Sequence, residues 1–181
     1  MRYYLGIDQS KRSTGLVLYN ERDEVVDFKL ICSEEKDDVL LLLYQWKEVD
    51  AFLRKNIVDG VCLAGALIEG LSFGSVGSGK DFLAGLQWYM RARLRSEWGV
   101  FLGTVTVSGW RSKVLTKEEQ RAAKSLGKDG LKVAVVDKLP EDVREAFADY
   151  VKIKGFKKAS IYDLADAAMI AKHCKMLFTS K

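Results

Sequence analysis

The chain opens on an apolar run that ends abruptly in an acid, Arg2-Tyr3-Tyr4-Leu5-Gly6-Ile7-Asp8. Only the polar stretch Gln9 to Ser13 separates it from a second run, Thr14-Gly15-Leu16-Val17-Leu18-Tyr19. Their β-branched and aromatic content predicts strands over 3–8 and 14–19, and a third over 25–32. Such short connections make an antiparallel meander. Asp8 therefore stands at the end of a buried strand beside a tight turn. A carboxylate taken out of water is costly unless something neutralises it, and a metal ion is one such partner.

Beyond the meander the period changes. Val39, Leu42, Leu43, Trp46, Val49 and Leu53 recur at helical intervals over Asp37–Asn56, behind an acidic first turn. Val61–Ile68 is a continuous apolar run, as expected of a strand buried on both faces, and it too ends in an acid, Glu69. A Gly/Ser loop, Gly70–Gly79, leads to a helix over 81–96 with Phe82, Leu83, Leu86, Tyr89, Met90 and Leu94 as its apolar stripe. A fifth strand follows over 101–107. The charged stretch 117–150 is helical and broken near Gly127–Gly130 and at Pro140, the only proline. Ser160 is a natural N-cap for a last helix running to about Phe178. The basic segment 110–130 reads as a mobile surface excursion. The order βββ-α-β-α-β-α is a mixed α/β pattern. With 181 residues, 48% of them hydrophobic, and neither repeats nor a linker, it describes one domain, 1–181.

Lys and Arg number 29 against 25 Asp and Glu, a formal net charge of +4, which by itself points only weakly to nucleic acid. The distribution says more. An acidic run, Glu34 to Asp38, lies in the first third, whereas the clustered Lys and Arg lie between Arg111 and Lys158. Cys32, Cys62 and Cys174 are far apart with no CxxC, which excludes a disulfide framework or a zinc site. There is no signal-peptide pattern, and no apolar run reaches the ~20 residues a bilayer needs. The expectation is a cytoplasmic protein with no membrane partner and no small-molecule cofactor.

Four carboxylates can meet. Asp8 and Glu69 end strands that can lie side by side. Asp163 and Asp166, three residues apart, share one face of the last helix among Ile161, Leu164, Ala165, Ala167, Ala168, Met169 and Ile170. Each acid alone reads as a turn, cap or surface residue. Together, at strand ends and on a helix face, they read as a site for magnesium, which takes oxygen ligands and keeps positions for water and phosphate. Two such ions ~4 Å apart activate a water and stabilise a leaving oxygen in phosphodiester hydrolysis.

Leu5-Gly6-Ile7-Asp8-Gln9-Ser10, with Ser13-Thr14-Gly15, resembles the opening of RuvC-type Holliday junction resolvases of the RNase H-like superfamily. Ala66-Leu67-Ile68-Glu69-Gly70 resembles their second acidic strand end. Tyr162-Asp163-Leu164-Ala165-Asp166-Ala167-Ala168-Met169-Ile170-Ala171-Lys172-His173-Cys174 resembles their C-terminal acidic helix. The resemblance spans nearly the whole chain. It implies an RNase H-like mixed five-stranded sheet, antiparallel over its first three strands and flanked by helices. It further implies a homodimer that cuts paired strands of a four-way DNA junction with two Mg2+ per site, Mn2+ substituting, in a bacterial cell or phage-infected host. Carried over by position, Asp8, Glu69, Asp163 and Asp166 are the metal ligands, Lys132 is the lysine near the scissile phosphate, and the helix 81–96 is the dimer surface. Gln9-Ser10 departs from the Pro-Gly usual after the first acid.

Phosphate contacts are expected from Trp110-Arg111-Ser112-Lys113, Lys128 and Lys132, while Lys117 and Arg121 read equally as a solvated helix face. Phe73 is either a wedge stacked on a junction base or packed on its own loop. The single histidine, His173, is structural or peripheral. Gly74-Ser75-Val76-Gly77-Ser78-Gly79-Lys80 fits the phosphate-loop pattern GxxxxGK. Asp81 then stands where that loop needs a hydroxyl. A nucleotide hydrolase ranks below a nuclease for that reason, and Lys80 and the loop amides can instead meet DNA phosphates. A two-domain actin or sugar-kinase ATPase needs more chain than this. A junction-binding protein without catalysis is disfavoured by the presence of all four acids.

Overall fold

The computed structural model describes residues 1–71, 79–127 and 129–179. Its centre is a five-stranded sheet of β1 (Arg2–Asp8), β2 (Ser13–Asn20), β3 (Val25–Cys32), β4 (Cys62–Glu69) and β5 (Leu102–Val105), in the order β3-β2-β1-β4-β5. The meander β1-β2-β3 is antiparallel, whereas β4 joins β1, and β5 joins β4, in parallel. This is the mixed five-stranded sheet that the sequence predicts. Ile7 pairs with Ile68, so the acids that follow them end neighbouring strands at one edge. Asp8 also stands opposite Gly15 of β2.

Both sheet faces are covered, which is why the central strands read as unbroken apolar runs. On one face Leu5, Ile7, Leu16, Leu18, Ala66 and Ile68 pack under α1 (Asp38–Asn56) and α2 (Gly79–Trp98). On the other, Tyr4, Val17, Tyr19 and Leu67 meet α7 (Ser160–Thr179) and the shorter helices around it. Asp37 caps α1, accepting from the amides of Val39 and Leu40. The buried ladder of α1 is Leu41, Gln45, Val49 and Phe52, with Trp46 and Leu53, leaving Val39 66% and Leu43 47% exposed. The stripe expected from the sequence is therefore turned. Gln45 is drawn inward by the Thr14 hydroxyl at 2.9 Å, and it takes Val39 and Leu43 out of the interface.

The segment 110–130 is not an excursion. Val107 does not extend β5, because Thr106 ends the strand and caps α3 (Val107–Val114), accepting from the Gly109 amide at 3.1 Å. A capping box of Thr116 and Glu119 starts α4 (Lys117–Ser125), and α5 (Gly130–Val136) follows. Trp110, Leu115 and Ala123 are buried. Helices α3 and α4 look polar or charged in sequence, yet each commits an apolar residue, Trp110 and Ala123, to the core, where Val135 and Val136 of the more apolar α5 join them. Pro140 precedes α6 (Glu141–Ile153), as its lack of an amide donor dictates. Ser160 is the first residue of α7 and not its cap. Among the described residues no helix is long and apolar enough to cross a membrane.

Helix α7 lies against the backbone of β1 and β2, and two glycines permit it. A methyl group on Gly6 would collide with the Ala167 carbonyl and the Ala171 amide, and one on Gly15 with the Asp163 carbonyl. Ala165, Ala167, Ala168 and Ala171 keep the facing side of the helix small, and all are buried. Neither backbone can yield cheaply in a packed core. Gly6→Ala is expected to destabilise the fold by ~3 kcal/mol, at the upper end of overpacking costs, measured by urea unfolding; a loss below ~1 kcal/mol would show that α7 is free to shift.

Candidate active site

The close docking of α7 brings its first two turns over the edge where β1 and β4 end. Asp8, Glu69, Asp163 and Asp166 lie near one another there, the other three all acting on Asp8. The Asp8 carboxyl is pushed well above the usual carboxylate range by burial, then by the charges of Glu69, Asp166 and Asp163. Burial likewise raises Glu69 and Asp163. Asp166 is pushed up to about 6 by burial, with Glu69 adding and Arg111 opposing. Lys132 on α5 lowers all four without an ion pair to any, its ammonium 5.5 Å from the Tyr162 ring centroid.

Three of the four acids are held by neighbours. The Ser13 hydroxyl donates to Asp163 Oδ2 at 2.5 Å. The Trp110 indole donates to Glu69 Oε2 at 3.1 Å. Arg111 Nη2 donates to Asp166 Oδ2 at 3.1 Å. Among the described residues no donor bonds the Asp8 carboxylate, and Asp166 Oδ1 is buried without a partner. An all-carboxylate set with unclaimed oxygens suits a hard divalent cation. As the side chains stand, no group of three His, Cys, Asp or Glu among the described residues closes into a metal cage. The donors therefore fit such an ion in type and placement, and taking one requires their side chains to turn.

The turn after Asp8 is built from side chains. The Ser10 hydroxyl accepts from the Ser13 amide at 2.8 Å and lies 2.5 Å from the Ser13 carbonyl. Gln45 donates to the Ser10 carbonyl at 3.1 Å. Gln9 reaches across to the Glu69 carbonyl at 3.0 Å, where Gln87 of α2 also donates at 2.8 Å. The Gln9 side chain thus ties the turn after β1 to the end of β4.

Of the residues expected to face DNA, Trp110 is misplaced: it is fully buried and serves Glu69. Its place on a helix facing the sheet was hidden, because that segment looked like a loop. Arg111 also turns inward, to Asp166. Lys113 lines a cavity of about 130 Å3 with Lys172 and His173. Lys80 sits in the first turn of α2. Phe73, Lys128 and the Gly74–Ser78 part of the phosphate-loop pattern lie outside the described residues. Val133 to Asp137, an apolar run that ends in an acid, belongs to helix α5 and its C-cap. Sequence reasoning did not single out Ser13 for its bond to Asp163, nor Gln87, whose only signal is a polar residue on the apolar side of α2.

The sheet order and the acid-bearing helix define an RNase H-like fold. None of the family models or curated protein sequences matches the chain. Solved structures do. RuvC of T. thermophilus in complex with a Holliday junction substrate superposes with a TM-score of 0.62 at 16% identity, covering 99% of this chain and 95% of that one. A further Thermus thermophilus RuvC structure gives 0.56 at 15% identity, covering 98% and 95%. The fold is RuvC-like along its whole length.

Raised carboxyls make metal-free stability depend on pH. Between the ordinary carboxylate range and about 6 the unfolded chain releases the Asp166 proton while the folded chain keeps it, so stability falls as pH rises through that window. Asp8, raised well above its ordinary value by burial and the neighbouring acids, adds to the loss in the same direction. In EDTA at pH 7.5, Asp8→Asn is expected to be more stable than wild type by ~1 kcal/mol or more, read by urea denaturation; equal or lower stability would contradict the strained site.

Proposed function

We propose that this protein is a divalent-metal-dependent endonuclease acting on branched DNA, four-way junctions foremost. The observation that carries the reading is the convergence of Asp8, Glu69, Asp163 and Asp166 at one sheet edge, within the field of Lys132. The likeness to a RuvC structure bound to a Holliday junction substrate supports the choice of DNA.

Two Mg2+, or Mn2+ in their place, would be held by the four acids and supply an activated water and charge stabilisation at the leaving oxygen. The chain's own residues do the rest. Asp8, which feels the charge of the other three acids, meets no competing donor among the described residues. Ser13 and Trp110 fix the orientation of Asp163 and Glu69. Lys132 supplies positive charge where a phosphate must approach four acids, and its flexible ammonium acts there as a point charge. Lys80, Arg111, Lys113 and Lys128 contribute phosphate contacts, and Phe73 a base contact.

Paired nicks on opposed strands require two sites, which a homodimer supplies. The outer face of α2 carries Gly85, Trp88 and Ala92, with Trp88 69% exposed and Arg91 over its ring. A second copy packed on Trp88 would bury this indole. Trp88→Glu is expected to shift the protein to monomer in sedimentation velocity; an unchanged sedimentation coefficient would move the dimer surface elsewhere.

On a synthetic four-way junction with Mg2+, wild type is expected to give symmetric, ligatable nicks, and Asp8→Asn to lose at least ~100-fold in rate, no less than the loss of a residue that merely orients a metal ligand. Binding without cleavage in either Mg2+ or Mn2+ would make it a junction-binding protein. Full nicking by Asp8→Asn would refute the site.

A further inference from the structure

Two consecutive residues of α3 grip two of the four acids, and those acids belong to different elements. Trp110 holds Glu69 of β4, while Arg111 holds Asp166 of α7. The guanidinium carbon lies 5.0 Å from the Trp110 ring centroid. Trp110 is locked in the core, but Arg111 is not equally committed. It uses one prong: among the described residues its buried Nε meets no partner, and neither does Asp166 Oδ1. A guanidinium and a carboxylate that form a permanent pair commonly share two parallel hydrogen bonds. The same Arg111 also lines a cavity of about 470 Å3 that opens beside the end of β4, with Gly70, Thr106, Ser108 and Lys124 around it. One side chain thus borders both the acids and a hollow in which Lys124 and the Thr106 and Ser108 hydroxyls stand among apolar Leu71, Val107 and Leu131.

We propose that Arg111 is the resident cation of the acidic site, paired with Asp166 in the metal-free protein, displaced from it by divalent metal, and turned into the adjoining cavity to meet a DNA phosphate. The inference rests on the metal-site reading above and adds a device to it. Without metal, four carboxylates at one edge repel one another, and Arg111 supplies positive charge against Asp166. With metal, the guanidinium and the ion compete for Asp166, and like charges a few ångströms apart cannot share it without cost. Metal loading and the readiness of Arg111 for phosphate are then one linked equilibrium. Arg111 acts through Asp166 in the first state and on the DNA in the second, which makes it a positioning residue for loading.

The test needs no cleavage. Mn2+ is titrated into DNA-free wild type, Arg111→Gln, Arg111→Lys and Asp8→Asn, with free Mn2+ followed by electron paramagnetic resonance and the melting temperature read with and without the ion. Arg111→Gln is expected to bind Mn2+ at least ~5-fold more tightly than wild type, the lower end of ordinary coupling between sites. It should also gain more in melting temperature on adding the ion. Arg111→Lys keeps the charge and should stay near wild type. In Ca2+, the salt dependence of junction binding should be shallower for Arg111→Gln by about one phosphate contact. Mn2+ binding by Arg111→Gln no tighter than by wild type, or binding by Arg111→Lys as tight as an improved Arg111→Gln, would reduce Arg111 to a brace for Asp166 and leave the metal site standing. No Mn2+ binding by wild type or by either Arg111 variant would overturn both readings. Arg111→Met, similar in apolar volume, replaces the glutamine variant if that one does not fold, with the same expected result.

Discussion

Everything at the acidic edge depends on how closely one helix can lie on two strands. Gly6 and Gly15 remove the side chains that would hold α7 away, and the small residues of α7 match them. The contact is backbone against backbone, so it fixes depth and rotation together. That rotation turns Asp163 and Asp166 toward Asp8, while the parallel register of β1 and β4 brings Glu69 beside it. An ordinary side chain at either glycine would move the helix acids away from the strand acids, at Gly6 by pressing on Ala167 and Ala171 and at Gly15 by pressing on the Asp163 backbone.

The site so assembled is electrostatically unfavourable on its own. All four carboxyls are raised by burial, and among the described residues hydrogen bonds from Ser13, Trp110 and Arg111 claim three of them. Such strain is tolerated where the surrounding fold over-determines it, and it concentrates at functional sites. Here the constraint comes from both sheet faces: the Gln9, Gln45 and Gln87 bonds pin the edge from the α1/α2 side, and Trp110 pins it from the α7 side. Lys132 and Arg111 temper the charge by different means, one at a distance and one in contact.

The strands and the order βββ-α-β-α-β were legible because strong local patterns mark them: alternating or continuous apolar runs, with an acid at the end of each of two strands. The rotation of α1 was not, since Leu41 to Leu43 give the helix two plausible apolar sides and a buried Gln45–Thr14 bond chooses between them. Helix α3 was missed for a related reason. Val107 continues a β-like run, and only the Thr106 cap ends it. That single boundary error put Trp110 on the surface, when a fully buried tryptophan with its indole on Glu69 is what the fold makes of it. The Gln9-Ser10 turn looked like a weakness by comparison with Pro-Gly. Its side chains prove to supply the hydrogen bonds that hold the edge together.

The central claim is that this edge is a two-metal centre. The most direct measurement is an anomalous difference map from crystals soaked in Mn2+. The account predicts two peaks ~4 Å apart, enclosed by Asp8, Glu69, Asp163 and Asp166, with Asp8 nearest to both. An occupied lattice site elsewhere with nothing between these acids would contradict it.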